Sequence, residues 1–186
     1  MKRSIFLQIP LVASALIANA KNSSKDRADK GFKVEAGKDR YQKELLIMGG
    51  QFDCKVSGKD TDGDLCIYDT LRQEKGGPAL HVHHNQDEWF YIIKGEFIAK
   101  IGDDLLHLNA GDSAFAPRKI PHAFAKISEG EGQMLTLFQP AGSIEDYFQQ
   151  VSKLGGSTKD QVQGSKDLMK SHGMEIAGPP LKFENG

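Results

Sequence analysis

Cysteine is scarce in this chain: its 186 residues include only Cys54 and Cys66. Two thiols cannot build a disulfide framework or a four-thiolate zinc site. Neither sign of charge is in excess, because 24 Lys and Arg stand against 25 Asp and Glu, for a formal net charge of -1. Without a basic field, nucleic acid is not an expected partner. After the first twenty residues, no apolar run approaches the roughly 20 residues that span a bilayer. What is present is globular in composition, with 39% hydrophobic and 26% charged residues, 20 Gly and 7 Pro. That excludes a collagen-like repeat and wholesale disorder, and the length suits one ordinary domain.

Residues 1–20 read as a secretory signal peptide. Lys2 and Arg3 form a positive start, Ile5 to Ile17 is mostly apolar, and Ala18-Asn19-Ala20 is a small-x-small cleavage pattern. The mature protein is therefore expected to begin near Lys21, to be secreted or periplasmic, and to make no membrane contact once the signal is cut. Residues 21–40 are polar and charge-dense, which predicts a flexible leader. Near the other end, Ile144, Tyr147, Phe148 and Val151 recur at helical spacing. Ser143 is placed to cap that helix, with Gly155-Gly156 as its stop. A second helix is expected from Ser157 or Thr158 to about Ser171, ended by Gly173, with Pro179-Pro180 forcing an extended tail. Residues 141–186 thus form a helical extension and tail.

Between these ends, from about residue 41 to 140, the sequence changes character. Short segments rich in Val, Ile, Phe, Tyr and Thr alternate with turn clusters about every eight to twelve residues. No helical period competes. The pattern predicts an all-β sandwich or barrel of antiparallel strands.

Strand parity groups the histidines. In Leu80-His81-Val82-His83-His84, side chains alternate between faces, so His81 and His83 lie together and His84 points away. After the Asn85-Gln86-Asp87 turn, Glu88 opens the next strand, and from an inward start Phe90 and Ile92 follow it inside. A carboxylate beside two imidazoles in an apolar barrel is expensive to bury without a compensating cation. A metal ion supplies that compensation. His84, His107 and His172 have no such support.

The same residues carry a family resemblance. His81-x-His83, four residues, Glu88, six residues and Gly95 resemble the first motif of the cupins. Gly111, five residues, Pro117 and then His122 resemble the second. The run GDSAFAPRKIPHAF and the tail GMEIAGPPL are similar to those of single-domain, quercetin dioxygenase-like cupins. The resemblance implies a double-stranded β-helix, or jelly-roll, barrel and a homodimer. It also implies His81, His83, Glu88 and His122 as ligands of a divalent transition metal: iron, manganese, nickel, copper or zinc. The sequence departs from the pattern at Lys119, where Gly is usual, and at Lys126, where the motif often ends in Asn. Lys126 shares parity with His122 and Phe124, so it sits at a solvated rim or enters the pocket as a cation.

The implied activity is a dioxygenase acting on a small, aromatic or enolic organic substrate, with Glu88 as ligand and transient catalytic base. Phe90, Ile92, Phe115 and Phe124 are the expected apolar wall of the substrate pocket. Two other readings stand beside it, since one barrel hosts many activities. One is an isomerase or hydrolytic enzyme, which needs a further acid–base residue that an inward Lys126 would supply. The other is a protein that binds a metal or small molecule without turnover. Cys54 and Cys66 lie symmetrically about Asp60, but a bridge between directly paired strands is strained, so two free buried thiols are expected.

Overall fold

A computed structural model of the chain describes residues 27–154 and 158–182. Residues 1–20, on which the signal-peptide reading falls, residues 21–26 and the Gly155-Gly156 stop lie outside the described residues. Among the described residues eleven strands form two sheets, and every strand pairing is antiparallel. The first sheet comprises β1 (Leu46–Ile47), β2 (Gly50–Val56), β3 (Cys66–Arg72), β5 (Asp87–Lys94), β8 (Ser113–Ala116) and β10 (Gly132–Gln139). Its spatial order is β1-β2-β3-β10-β5-β8. The second comprises β4 (Ala79–His83), β6 (Phe97–Ile101), β7 (Asp104–Leu108), β9 (His122–Lys126) and β11 (Met174–Pro180), in the order β11-β4-β9-β6-β7. Strands that neighbour in sequence often sit in opposite sheets, as a jelly-roll requires.

The alternation expected of half-buried strands is plain in β3 and β10. Cys66, Tyr68, Thr70 and Arg72 point inward, as do Gly132, Met134, Thr136 and Phe138. Two apolar clusters result. One fills the barrel with Phe90, Ile92, Phe97, Phe124 and Met134. The other joins Phe52, Tyr68 and Phe138 to the helices through Ile144, Tyr147, Phe148, Val151 and Met169. The helices are α1 (Ile144–Lys153) and α2 (Thr158–Ser171). The periodic apolar face of α1 is the face it buries. Ser143 makes no capping bond; its hydroxyl instead meets His172 Nδ1 at 2.9 Å, tying the start of α1 to the end of α2. Gly173 ends α2 in the left-handed region, at φ 73°.

The tail is more than extended chain. As β11 it pairs with β4, Met174 opposite His83 and Ile176 opposite His81. Pro179 and Pro180 are tolerated because β11 is an edge strand, where a missing N–H leaves no partner unmet. The described part of the charge-dense leader, 27–40, lies against the barrel. The Asp39 carboxylate accepts hydrogen bonds from the N–H groups of Tyr41, Lys43 and Cys54, and Arg40 pairs with Asp60. Cys54 and Cys66 are free and buried, and burial raises both thiol pKa values. The register of β2 on β3, Gly50 opposite Arg72, is offset from symmetry about Asp60, so Cys54 faces Tyr68 across that pair while Cys66 faces Phe138 on β10.

Lys126 is neither at a solvated rim nor in a pocket. It is wholly buried at the opposite end of β9 from His122. Its ammonium donates to the carbonyls of Gln73 at 2.9 Å and Ser128 at 2.8 Å. Inward parity was right, but close carbonyls replace water around the charge.

Candidate metal centre

Three backbone segments bring four donors together. β4 places His81 and His83 on its inner face, β9 opens with His122 directly opposite His81, and β5 carries Glu88 at its second residue. Asp87 anchors the start of β5: its carboxylate accepts from the backbone N–H and Nε of Arg118, at 2.8 and 3.0 Å. The following loop rests on β4 through the Lys119 N–H, which donates to the His83 carbonyl at 2.7 Å. Lys119 adopts φ 69°, the left-handed region that explains why Gly suits this position. A lysine there carries a strain of about 1 kcal/mol.

The four ligating atoms lie within 4.8 Å of one another, and all four residues are buried. Glu88 Oε2 stands 2.9 Å from His122 Nε2, 3.5 Å from His83 Nε2 and 4.0 Å from His81 Nε2. The other ring nitrogens are committed elsewhere. His81 Nδ1 donates to the Ala79 carbonyl at 2.8 Å, His122 Nδ1 to the Ile120 carbonyl at 2.9 Å, and His83 Nδ1 to Gln86 Oε1 at 3.2 Å. In His81 and His83 the bond fixes the neutral tautomer whose Nε2 lone pair faces Glu88, while in His122 it orients the ring so that Nε2 donates to Glu88 at 2.9 Å.

The charge states follow from that crowding. Burial, then the neighbouring His122 and His83 rings, pushes His81 down to about 3. Burial and His122 push His83 down to about 4. Burial also pulls on His122, but its hydrogen bond to Glu88 and that carboxylate's charge outweigh it and raise the ring's pKa. In the metal-free protein a proton held on His122, whose Nε2 donates to Glu88, is the cluster's compensating charge. Three nitrogen donors and a carboxylate, with no lysine or arginine among them, fit a divalent transition ion. Among the described residues this is the one group of three or more such side chains that could hold a metal.

His81, His83 and Glu88 line a cavity of about 70 Å³ that runs out beneath the helices. Phe124 lines it as expected, and Phe90 packs behind, its ring centroid 5.6 Å from Phe124 and 6.4 Å from His122. Ile92 is fully buried deeper in the barrel and does not reach the cavity. Phe115 does not line it either. Its strand register pairs it with Trp89 on the outer face, leaving it 55% exposed, while Ala114 and Ala116 point inward. The remaining wall comes from Phe138, Ile144, Tyr147, Phe148 and Met174. The helical spacing of residues 144–151 was visible in sequence, but nothing there said what it covers.

Gln86 also escaped the sequence reading. It is buried in the turn before β5, accepts from His83, and donates to the carbonyls of Pro140 and Ala141 just ahead of α1. His84 lies off the cluster, its Nε2 3.8 Å from Glu175 Oε2 on β11.

Comparison with known proteins agrees with this geometry. Residues 70–138 match the Cupin domain family. The barrel has the cupin fold. A Streptomyces nucleoside dehydratase, Pac13, superposes with a TM-score of 0.50 at 12% identity, over 63% of this chain and 88% of that one. An RmlC-like cupin from Shewanella frigidimarina gives 0.48 at 21% identity, over 60% and 92%. Among curated proteins, a 3-hydroxyanthranilate 3,4-dioxygenase from Pyricularia oryzae is 33% identical over 89 residues, which is 43% of this chain and 48% of the dioxygenase. The chain thus spans about half the length of that relative.

Replacing His83 by Ala is expected to abolish metal retention in metal analysis of the purified protein, and His84→Ala to leave it unchanged. Gln86→Ala should lower metal affinity about 10–100-fold by freeing the His83 ring. Equal loss in the His83 and His84 variants would place the strand register one residue off.

A pH dependence follows for the metal-free protein. The unfolded chain protonates His81 and His83 near the ordinary value of about 6.5, whereas the folded chain holds them neutral until about 3 and 4 respectively. Stability therefore falls as pH drops below 6.5, by up to about 2.7 kcal/mol per unit for the two rings together. His122 acts in the opposite window: its contribution is full below 6.5 and is lost as pH rises through its raised value. The urea midpoint of chelator-treated protein should decline from pH 6.5 to 5, and a flat midpoint would contradict the neutral tautomers.

Proposed function

We propose that this cupin is a metal-dependent dioxygenase acting on a small organic substrate. The observation that carries the reading is the buried set of three imidazoles and one carboxylate at the end of an apolar cavity. The partial match to a dioxygenase supports it. When bound by His81, His83, Glu88 and His122, a divalent transition ion supplies Lewis-acid chemistry that favours deprotonated substrate.

The chain's own residues do the rest. Glu88 is the group that can accept a proton from a substrate hydroxyl, since it is the one carboxylate among the described residues that line the cavity. Gln86 and the carbonyls of Ala79 and Ile120 hold the rings in one tautomer, so that the proton returns to a fixed atom. Phe124, Phe138 and Phe148 exclude bulk water. The cavity is about half the ~150 Å³ void that admits benzene, so a small enolic compound suits it, and a flavonol requires α1 and α2 to move. This argues against a quercetin-type substrate for the closed form.

The isomerase or hydrolytic alternative loses the support that an inward catalytic Lys126 would have given, because that ammonium is held by Gln73 and Ser128. Export rests on residues 1–20 alone, and we keep the mature protein outside the cytoplasm on that sequence. A homodimer is supported by apolar side chains on the outer face of the first sheet, where Tyr91, Ile93 and Phe115 are exposed around Trp89.

The test of the activity is oxygen uptake by metal-loaded protein across a panel of small enolisable compounds. Uptake should stop on chelation, and Glu88→Gln should lower turnover at least about 100-fold. Product formation without oxygen consumption would favour the isomerase or hydrolytic reading instead. For the dimer, sedimentation should show two copies in the wild type and one in Phe115→Arg; a wild-type monomer would remove that proposal.

A further inference from the structure

The cavity contains two orphaned donors that the metal site does not use. Arg72, at the end of β3, is 5% exposed, and its Nε–H has no hydrogen-bond partner. Thr136, on the inner face of β10, is 2% exposed, and its hydroxyl is likewise unpaired. Both line the cavity that His81, His83 and Glu88 line.

No carboxylate among the described residues answers the guanidinium. Among the described residues Arg72 forms no ion pair, and its one side-chain hydrogen bond runs from Nη2 to the Met48 carbonyl. Burial alone pulls its pKa down to about 10, which still leaves it charged at neutral pH. A buried unpaired charge and a buried unpaired hydroxyl each lower stability. A structural role explains the Met48 bond but leaves Nε–H and the Thr136 hydroxyl without purpose. Arginine is also the side chain whose fixed donors best match a carboxylate, which accepts several hydrogen bonds and donates none.

Along β10 the order is fixed by register. Phe138 lies beside Glu88, Thr136 comes one inward position further, and Gly132 faces Arg72. The orphaned donors thus lead away from the metal ligands along one inner face. We infer that the substrate is a small organic acid whose carboxylate is held by Arg72 and Thr136 while its other end faces the His81, His83, Glu88 and His122 cluster. This names the substrate class of the proposed enzyme and rests on that reading for its turnover, but the binding itself can be read without turnover.

The experiment is calorimetric titration of the full chain, metal-loaded and chelator-treated, with acetate, propionate and pyruvate against the matching amides. Saturable binding of at least one acid, with its amide at least tenfold weaker, is expected in both metal states. Arg72→Met should weaken that binding at least tenfold without changing metal content or lowering the melting temperature. Arg72→Lys should restore part of it, and Thr136→Val, which keeps the shape, should cost severalfold. Should Arg72→Met fail to fold, the lysine and valine variants carry the same test. Equal affinity in the variants, equal affinity for acids and amides, or binding that vanishes with the metal would overturn the inference. A negative oxygen-uptake screen beside positive acid binding would remove the dioxygenase reading and leave this site standing.

Discussion

Four hydrogen-bond acceptors pointing at one another in a buried space repel unless a cation sits among them. Three Nε2 lone pairs and the Glu88 carboxylate stand in that relation here, their ligating atoms within 4.8 Å of one another. The surrounding structure enforces the arrangement. Carbonyls of Ala79 and Ile120 and the Gln86 side chain claim each Nδ1, so no ring can relieve the crowding by turning over. In the metal-free chain a proton on His122, donated to Glu88, offsets part of the repulsion, while burial keeps His81 and His83 neutral. A cluster held against its own repulsion is preorganised for a divalent ion, since little reorganisation remains when the ion binds.

The helical extension matters because the barrel cannot seal itself. Phe52, Tyr68 and Phe138 would face water at the barrel's open side without Ile144, Tyr147, Phe148 and Met169. Sealing also lowers the local dielectric, which strengthens electrostatic interactions inside and penalises unpaired charge. The same helices reach the metal ligands indirectly, through the Gln86 bonds to Pro140 and Ala141. Closure of the cavity and orientation of His83 are therefore mechanically linked.

The cluster was legible in sequence because its logic is local. Parity places His81 with His83, a short turn brings Glu88 alongside, and the second motif returns His122 across from His81. Parity failed for Phe115 because its inward or outward phase depends on pairing with Trp89, which no local pattern fixes. The pairing of the tail with β4, the reach of Gln86 and the orphaned Arg72 all depend on contacts between distant segments. Lys126 shows the intermediate case: its inward direction was readable, but the Gln73 and Ser128 carbonyls that make it tolerable were not.

The central claim is that this cluster binds one divalent transition ion through three imidazoles and one carboxylate. X-ray absorption of protein loaded to one metal equivalent tests it most directly. Nitrogen and oxygen scatterers are expected at about 2.0–2.2 Å, with outer-shell scattering from three imidazole rings and no sulfur. A sulfur shell, or fewer than two imidazole rings, would contradict it.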